Sequence, residues 1–130
     1  MARILLIEDD TPLREVLAAT LVNAGHIVAQ AGDGRQGVEL FDLAPADLVI
    51  TDILMPGQEG IETIMQLRRL APGLPIIAIS GGATHSKFYL GMAAKLGAQR
   101  VLAKPFTPAE LLRAIDEVLD AQQTRDPTAP

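Results

Sequence analysis

Three successive acids, Glu8, Asp9 and Asp10, end the first apolar run of this chain, and Asp52 ends another. Ser80 closes a third such run, and Lys104 follows a fourth. Carboxylates brought within a few ångströms repel one another unless a cation intervenes or protons are taken up. An all-oxygen donor set without His or Cys suits Mg²⁺, held through one or two carboxylates with several waters kept. A lysine and a hydroxyl facing those acids would complete an anion site, one by point charge and the other by hydrogen bond. Each residue alone has a plainer reading. An acid run after a strand is most often a solvated turn or a helix cap, and a lone strand-end Asp, Ser or Lys says less still. The conjunction at four run ends is what points to chemistry.

For these residues to meet, the runs between them must fold as one sheet. Arg3 to Ile7 reads as a strand. Thr11-Pro12 reads as an N-cap followed by proline in the first helical turn. Leu13, Val16, Leu17, Thr20, Leu21 and Ala24 recur at helical spacing, and Gly25 fits the C′ position. His26 to Ala31 is a second strand, turned by Gly32-Asp33-Gly34, and a helix carried by Val38, Leu40, Phe41 and Leu43 ends at Ala44-Pro45. Within Asp47 to Asp52, Leu48, Val49 and Ile50 have the pattern of a strand buried on both faces. Met55-Pro56-Gly57 then stops regular structure. Ile61, Ile64, Met65 and Leu67 mark another helix, with Arg68-Arg69 as its solvated end, well placed for the helix dipole.

Pro75 to Ser80 is the fourth strand, leading into Gly81-Gly82. About His85 to Leu96 is a helix of weaker periodicity stopped by Gly97, and Arg100 to Ala103 is the fifth strand, before Lys104-Pro105-Phe106. Thr107-Pro108-Ala109-Glu110 is a capping box, and Leu111, Leu112, Ile115, Val118 and Leu119 form the stripe of the last helix. The polar, proline-bearing QQTRDPTAP that follows is expected to be disordered. The expected division is a domain over residues 1–121 and a tail over 122–130. Strands alternating with helices predict an α/β domain, doubly wound around a five-stranded parallel sheet with helices on both faces. That number of elements suits the flavodoxin-like order 2-1-3-4-5, whose switch point lies between the first and third strands, where the acids converge.

Composition narrows the rest. At 130 residues the chain can bury a core without metal or disulfide staples. Cysteine is absent, which excludes thiol catalysis and thiolate zinc sites and suits a reducing compartment. No apolar run approaches bilayer length, and MARILLIEDD turns acidic too soon for a signal peptide; the expectation is a cytoplasmic protein, not at a membrane. A net charge of −5 without a basic cluster, and only three Phe and one Tyr, argue against direct nucleic-acid binding.

ILLIEDD with Arg14 downstream, DLVITDILMPGQEG, IIAIS and LGAQRVLAKPF together resemble a response-regulator receiver domain, the phosphoacceptor module of two-component signalling. The resemblance covers roughly residues 3 to 120. It implies that Asp52 is the phosphoacceptor and that Mg²⁺ is held by Asp9 directly, Glu8 through water, Asp52 and the backbone carbonyl of Leu54. Ser80 would hydrogen-bond a phosphoryl oxygen, Lys104 would pair with Asp52 or its phosphate, and the Lys104-Pro105 bond would be cis. The implied partners are a sensor histidine kinase or histidine phosphotransfer protein and a downstream output protein or domain; a homodimer through the strand-five side is left open.

The chain departs from the family pattern in two places. Val101 stands where many receivers carry a Tyr or Phe that swings inward, so that half of the usual switch is in doubt. The loop Gly81 to Ser86, about two residues longer than the common form and made mobile by its paired glycines, is read first as a tolerated insertion and second as the seat of switching. Leu54 is apolar where water-positioning polar residues often occur, which implies slow dephosphorylation. The rival readings are a pseudo-receiver that is never phosphorylated and a small flavodoxin-like enzyme. A flavin phosphate would meet three acids after the first strand, and a haloacid-dehalogenase-type phosphatase would want an Asp where Leu54 stands.

Overall fold

The computed structural model describes residues 1–53, 59–81 and 86–125. Five strands alternate with five helices: β1 (Arg3–Ile7), α1 (Thr11–Asn23), β2 (Ile27–Ala31), α2 (Gly34–Leu43), β3 (Leu48–Asp52), α3 (Glu59–Leu70), β4 (Ile76–Ser80), α4 (Ser86–Lys95), β5 (Arg100–Ala103) and α5 (Pro108–Arg125). Every pairing is parallel and the order is β2-β1-β3-β4-β5. This is the doubly wound sheet that the alternation predicts, in the flavodoxin-like order that the number of elements suits but periodicity alone does not select.

The core divides by the period of two along each strand. Ile4, Leu6, Leu48, Ile50, Ile77 and Ile79 meet Leu17 and Leu21 of α1 and Leu111 and Ile115 of α5 on one face. Leu5, Ile7, Val49, Ile76 and Ala78 meet Phe41 of α2, Ile64 and Leu67 of α3 and Ala93 of α4 on the other. β3 and β4 are buried along their whole length, because neither presents a face to water. β2 and β5 are the sheet edges and are largely exposed. Positive φ at Gly25 (95°) and Gly97 (97°) turns the chain out of α1 and α4, where a side chain would be strained. The capping box forms as expected: Thr107 Oγ1 accepts from the Glu110 N–H at 3.0 Å, and Glu110 Oε1 accepts from the Thr107 N–H at 3.3 Å.

Several local readings are corrected. The N-cap of α1 is Asp10, not Thr11; its Oδ1 accepts from the Leu13 N–H at 3.2 Å, and Thr11 and Pro12 both lie inside the helix. Val16, Leu43 and Met65 are exposed rather than part of the buried stripes, Leu43 at 83 %. α5 continues to Arg125, four residues beyond the expected end at Ala121. Residues 126–130 of the expected tail, His85 and most of the Gly81–Ser86 loop lie outside the described residues.

Arg68 is the largest correction. Instead of facing solvent, its guanidinium reaches main-chain carbonyls from two separate connections. It donates to Leu74 O at 2.5 Å and Pro72 O at 3.3 Å after α3, and to Gly97 O at 2.6 Å and Leu96 O at 3.4 Å after α4. It also donates to Gln99 Oε1 at 3.3 Å, an oxygen that accepts from the Ile76 N–H at 2.7 Å. Its positive charge therefore serves the carboxyl ends of two helices at once, and burial pushes the guanidinium below the ordinary arginine range. Neighbouring Arg69 is exposed and makes one long contact with its own helix, to Met65 O at 3.5 Å. Urea unfolding should find Arg68→Met less stable by about 2–4 kcal/mol, from several charge-assisted hydrogen bonds lost together, and Arg69→Ala within about 0.5 kcal/mol of wild type. Equal, small effects for the two would contradict the clamp.

Candidate functional site

Parallel pairing sends the carboxyl ends of all strands to one edge, and the ladder registers place them side by side. Ile7 lies opposite both Ala31 and Thr51, Asp52 opposite Ile79, and Ser80 opposite Ala103. Backbone bonds carry the ladders one step further: the Glu8 N–H donates to Ala31 O at 3.0 Å and the Lys104 N–H to Ser80 O at 2.8 Å. The chain thus delivers Glu8, Asp52, Ser80 and Lys104 to adjacent positions from four strands. Carboxylate oxygens of Glu8, Asp9 and Asp52 lie within 4.8 Å of one another. The sequence-predicted residues converge, apart from the Leu54 carbonyl, which lies outside the described residues.

Lys104 holds the centre. Its Nζ donates to Asp52 Oδ2 at 2.7 Å and to Glu8 Oε1 at 2.9 Å, and both acids are buried. Burial pushes the Glu8 carboxyl up to about 7; the hydrogen bond from Lys104 opposes that rise and the charge of Asp52 adds to it. For Lys104, burial works downward, but hydrogen bonds and charge from Asp52 and Glu8 prevail and keep the ammonium above its ordinary range. Lys104 stays charged, whereas Glu8 shares its site with a proton near neutrality. The Lys104–Pro105 peptide is cis, as expected.

Ser80 is fully buried, and its hydroxyl finds no hydrogen-bond partner among the described residues. A buried hydroxyl left so costs about 1–3 kcal/mol, and native proteins retain few of them. At this edge it is a donor without an acceptor. Glycines make the approach close enough. A Cβ at Gly81 would sit 2.4 Å from Lys104 Cδ, so the lysine stem needs the bare backbone beneath it. A Cβ at Gly60 would sit 2.2 Å from Ile53 Cα and 2.6 Å from Asp52 O, so the first turn of α3 rests directly on the backbone that carries Asp52. Neither role is legible in the sequence, where Gly81 only opens the turn after the fourth strand and Gly60 only closes DLVITDILMPGQEG. Val101 is partly buried and packs on the α2–α4 side of the sheet.

The donor set fits a small, hard cation: three carboxylates meet, no nitrogen or sulfur ligand accompanies them among the described residues, and one acid is exposed to admit water. Glu8, Asp9 and Asp52 are the residues that would hold it. Among the described residues, no helix is long and apolar enough to cross a membrane.

The sequence matches the response regulator receiver domain family over residues 4–116. It is 37% identical over 117 residues to the probable transcriptional regulatory protein SilR of Salmonella typhimurium, covering 90% of this chain and 50% of that protein. It is equally 37% identical over 117 residues to the transcriptional regulatory protein PdtaR of Mycobacterium tuberculosis, covering 88% of this chain and 55% of that one. The chain thus spans about half the length of the curated relatives it matches. The crystal structure of a response regulator receiver domain protein (CheY-like) from Methanospirillum hungatei superposes with a TM-score of 0.88 at 29% identity, covering 95% of this chain and 98% of that one.

The raised Glu8 carboxyl gives stability a definite pH dependence. With the folded value about 7 and the ordinary value 4.5, the folded state binds the extra proton between them. The contribution of this group is complete below 4.5 and is lost as pH rises through 7. In the absence of divalent cations, stability should fall between pH 5 and pH 8 by on the order of 3 kcal/mol from Glu8 alone. Glu8→Gln, compared over the same range by urea unfolding, should flatten that part of the profile. An unchanged profile in Glu8→Gln would remove Glu8 as its source.

Proposed function

The chain belongs to the response regulator receiver domain family, and from that premise we propose that it accepts a phosphoryl group on Asp52 and signals by a change of conformation. The observation that carries this reading is the Lys104 ammonium 2.7 Å from Asp52 and 2.9 Å from Glu8, at the sheet edge where the Ser80 hydroxyl has no hydrogen-bond partner among the described residues. The donor would be a phosphohistidine of a sensor kinase or phosphotransfer protein. An Asp52 carboxylate oxygen attacks phosphorus in line; a P–O bond forms, the P–N bond breaks, and the imidazole leaves and takes up a proton from solvent. The product is an acyl phosphate. Lys104, already charged and hydrogen-bonded to Asp52, neutralises charge on the transferred group, and Ser80 donates to one of its oxygens. Mg²⁺ bound by Glu8, Asp9 and Asp52 would supply charge neutralisation and orientation of the phosphoryl oxygens. A histidine kinase and an output protein or domain are then the partners, as two-component signalling requires. The complete set of Glu8, Asp9, Asp52, Ser80 and Lys104 at one edge leaves the pseudo-receiver alternative without a supporting observation.

Incubation with a small phosphodonor and Mg²⁺ should add the mass of one phosphoryl group to the wild type. Asp52→Asn should gain none, and chelation of the metal should suppress the gain. An equal gain in Asp52→Asn would end the proposal. Ser80→Ala separates binding from stability. Removing an orphaned hydroxyl should leave the metal-free protein as stable as before, or more so by about 1 kcal/mol. The rise in Tm that beryllofluoride plus Mg²⁺ gives the wild type should be largely lost in this variant. A full Tm rise in Ser80→Ala would exclude the hydroxyl from phosphoryl contact.

A further inference from the structure

We propose that Arg14 is a positioning residue for the acid pair: by holding the Glu8 carbonyl from the helix side, it fixes the turn that presents Glu8 and Asp9 to a divalent cation. The inference rests on the metal-assisted phosphoacceptor reading above and assigns the part of the chain that shapes its metal side. Arg14 grips the turn twice. Its backbone N–H donates to Asp10 O at 2.8 Å, and its side-chain Nη1 donates to Glu8 O at 2.8 Å. Asp10 closes the loop from within, because its N–H donates to Glu8 Oε2 at 3.2 Å while its carboxylate caps α1. The two Glu8 carboxylate oxygens are therefore held separately, Oε1 by Lys104 and Oε2 by the Asp10 amide. Asp9 stands between these fixed points and takes its direction from the backbone on either side.

Two features mark the position as constrained. Arg14 Nε is buried and has no hydrogen-bond partner among the described residues. A guanidinium free to choose would recover the roughly 1–3 kcal/mol that such a donor forfeits, so the fold keeps Arg14 on Glu8 at the expense of its own satisfaction. Gly32, at the end of β2, leaves the space it occupies: a Cβ there would lie 3.2 Å from Arg14 Nη1. The φ of Gly32 is not in the left-handed region, so alanine is tolerated by the backbone and would press only on the guanidinium. Groups that orient a ligating residue, without touching the metal, typically alter affinity about 10–100-fold when removed.

Titration calorimetry with MgCl₂ is the test, with thermal unfolding of the metal-free proteins beside it. Arg14→Ala should raise the Mg²⁺ Kd about 10-fold at a temperature where the variant is fully folded, and Arg14→Lys, which keeps one donor and the charge, should recover part of the loss. Gly32→Ala, which presses on the guanidinium without removing it, should weaken Mg²⁺ about 2–3-fold, less than the roughly 10–100-fold of a removed outer contact, and decides the matter if Arg14→Ala does not fold. A purely structural arginine would lower Tm and leave the Kd of the folded fraction alone. Mg²⁺ affinities within twofold of wild type in the folded Arg14 and Gly32 variants would therefore overturn the proposal while leaving the phosphoacceptor reading intact. No saturable Mg²⁺ binding by the wild type would overturn both.

Discussion

One ammonium group makes the functional edge of this protein a stable object. Glu8 and Asp52 are both buried, and two carboxylates with a third nearby would drive the local structure apart or take up protons. The Lys104 side chain supplies the opposing charge from inside hydrogen-bond distance of each. Such a buried arrangement is costly to interrupt, because removing one partner strands the others without compensation, typically at about 3–5 kcal/mol. The lysine reaches its place only because its backbone is hydrogen-bonded to Ser80 and its stem runs over a residue without a Cβ, Gly81. Sheet register, one glycine and one ion cluster are thus parts of a single constraint.

The strands and the convergence of acids, serine and lysine were legible because they follow from simple periodicities. Central strands covered on both faces are apolar at nearly every position, and in a parallel sheet the residues that follow them must share an edge. The errors have equally physical causes. Asp10 and Thr11 are both good caps, and proline is accepted in either of the first two helical positions, so the sequence could not choose between them. Leu43 follows Leu40 at helical spacing but, two residues on from the buried Phe41, lies about 200° around the helix from it and faces water. Arg68 next to Arg69 looks like an ordinary basic helix end. Its acceptors near Leu96 and Gly97 come from almost thirty residues away, where only tertiary structure can bring them. Gly60 and Gly81 act through the absence of an atom, which is invisible until the opposing surface is known.

Under the proposed function, the reception of a phosphoryl group and the report of it are built from unlike materials. Ser80 offers a hydroxyl that no described residue bonds, while Val101, paired with Ala78 on the adjacent strand, is an aliphatic residue with little freedom about its side-chain bond. A contact made by Ser80 is transmitted most directly through its own main chain, since its carbonyl oxygen is the acceptor for the Lys104 amide. The ends of β4 and β5 are therefore joined by a backbone link as well as by the chemistry they share.

The Arg68 clamp has a mechanical corollary. It ties the carboxyl end of α4 to the turn after α3, at the opposite edge of the sheet from the acids. A rod fastened at one tip behaves as a lever: any displacement it undergoes is a pivot about the fastening, with travel increasing along its length. For α4 the fulcrum is Gly97 and its neighbours, and the greatest sweep falls at the tip that follows Ser80 in the chain.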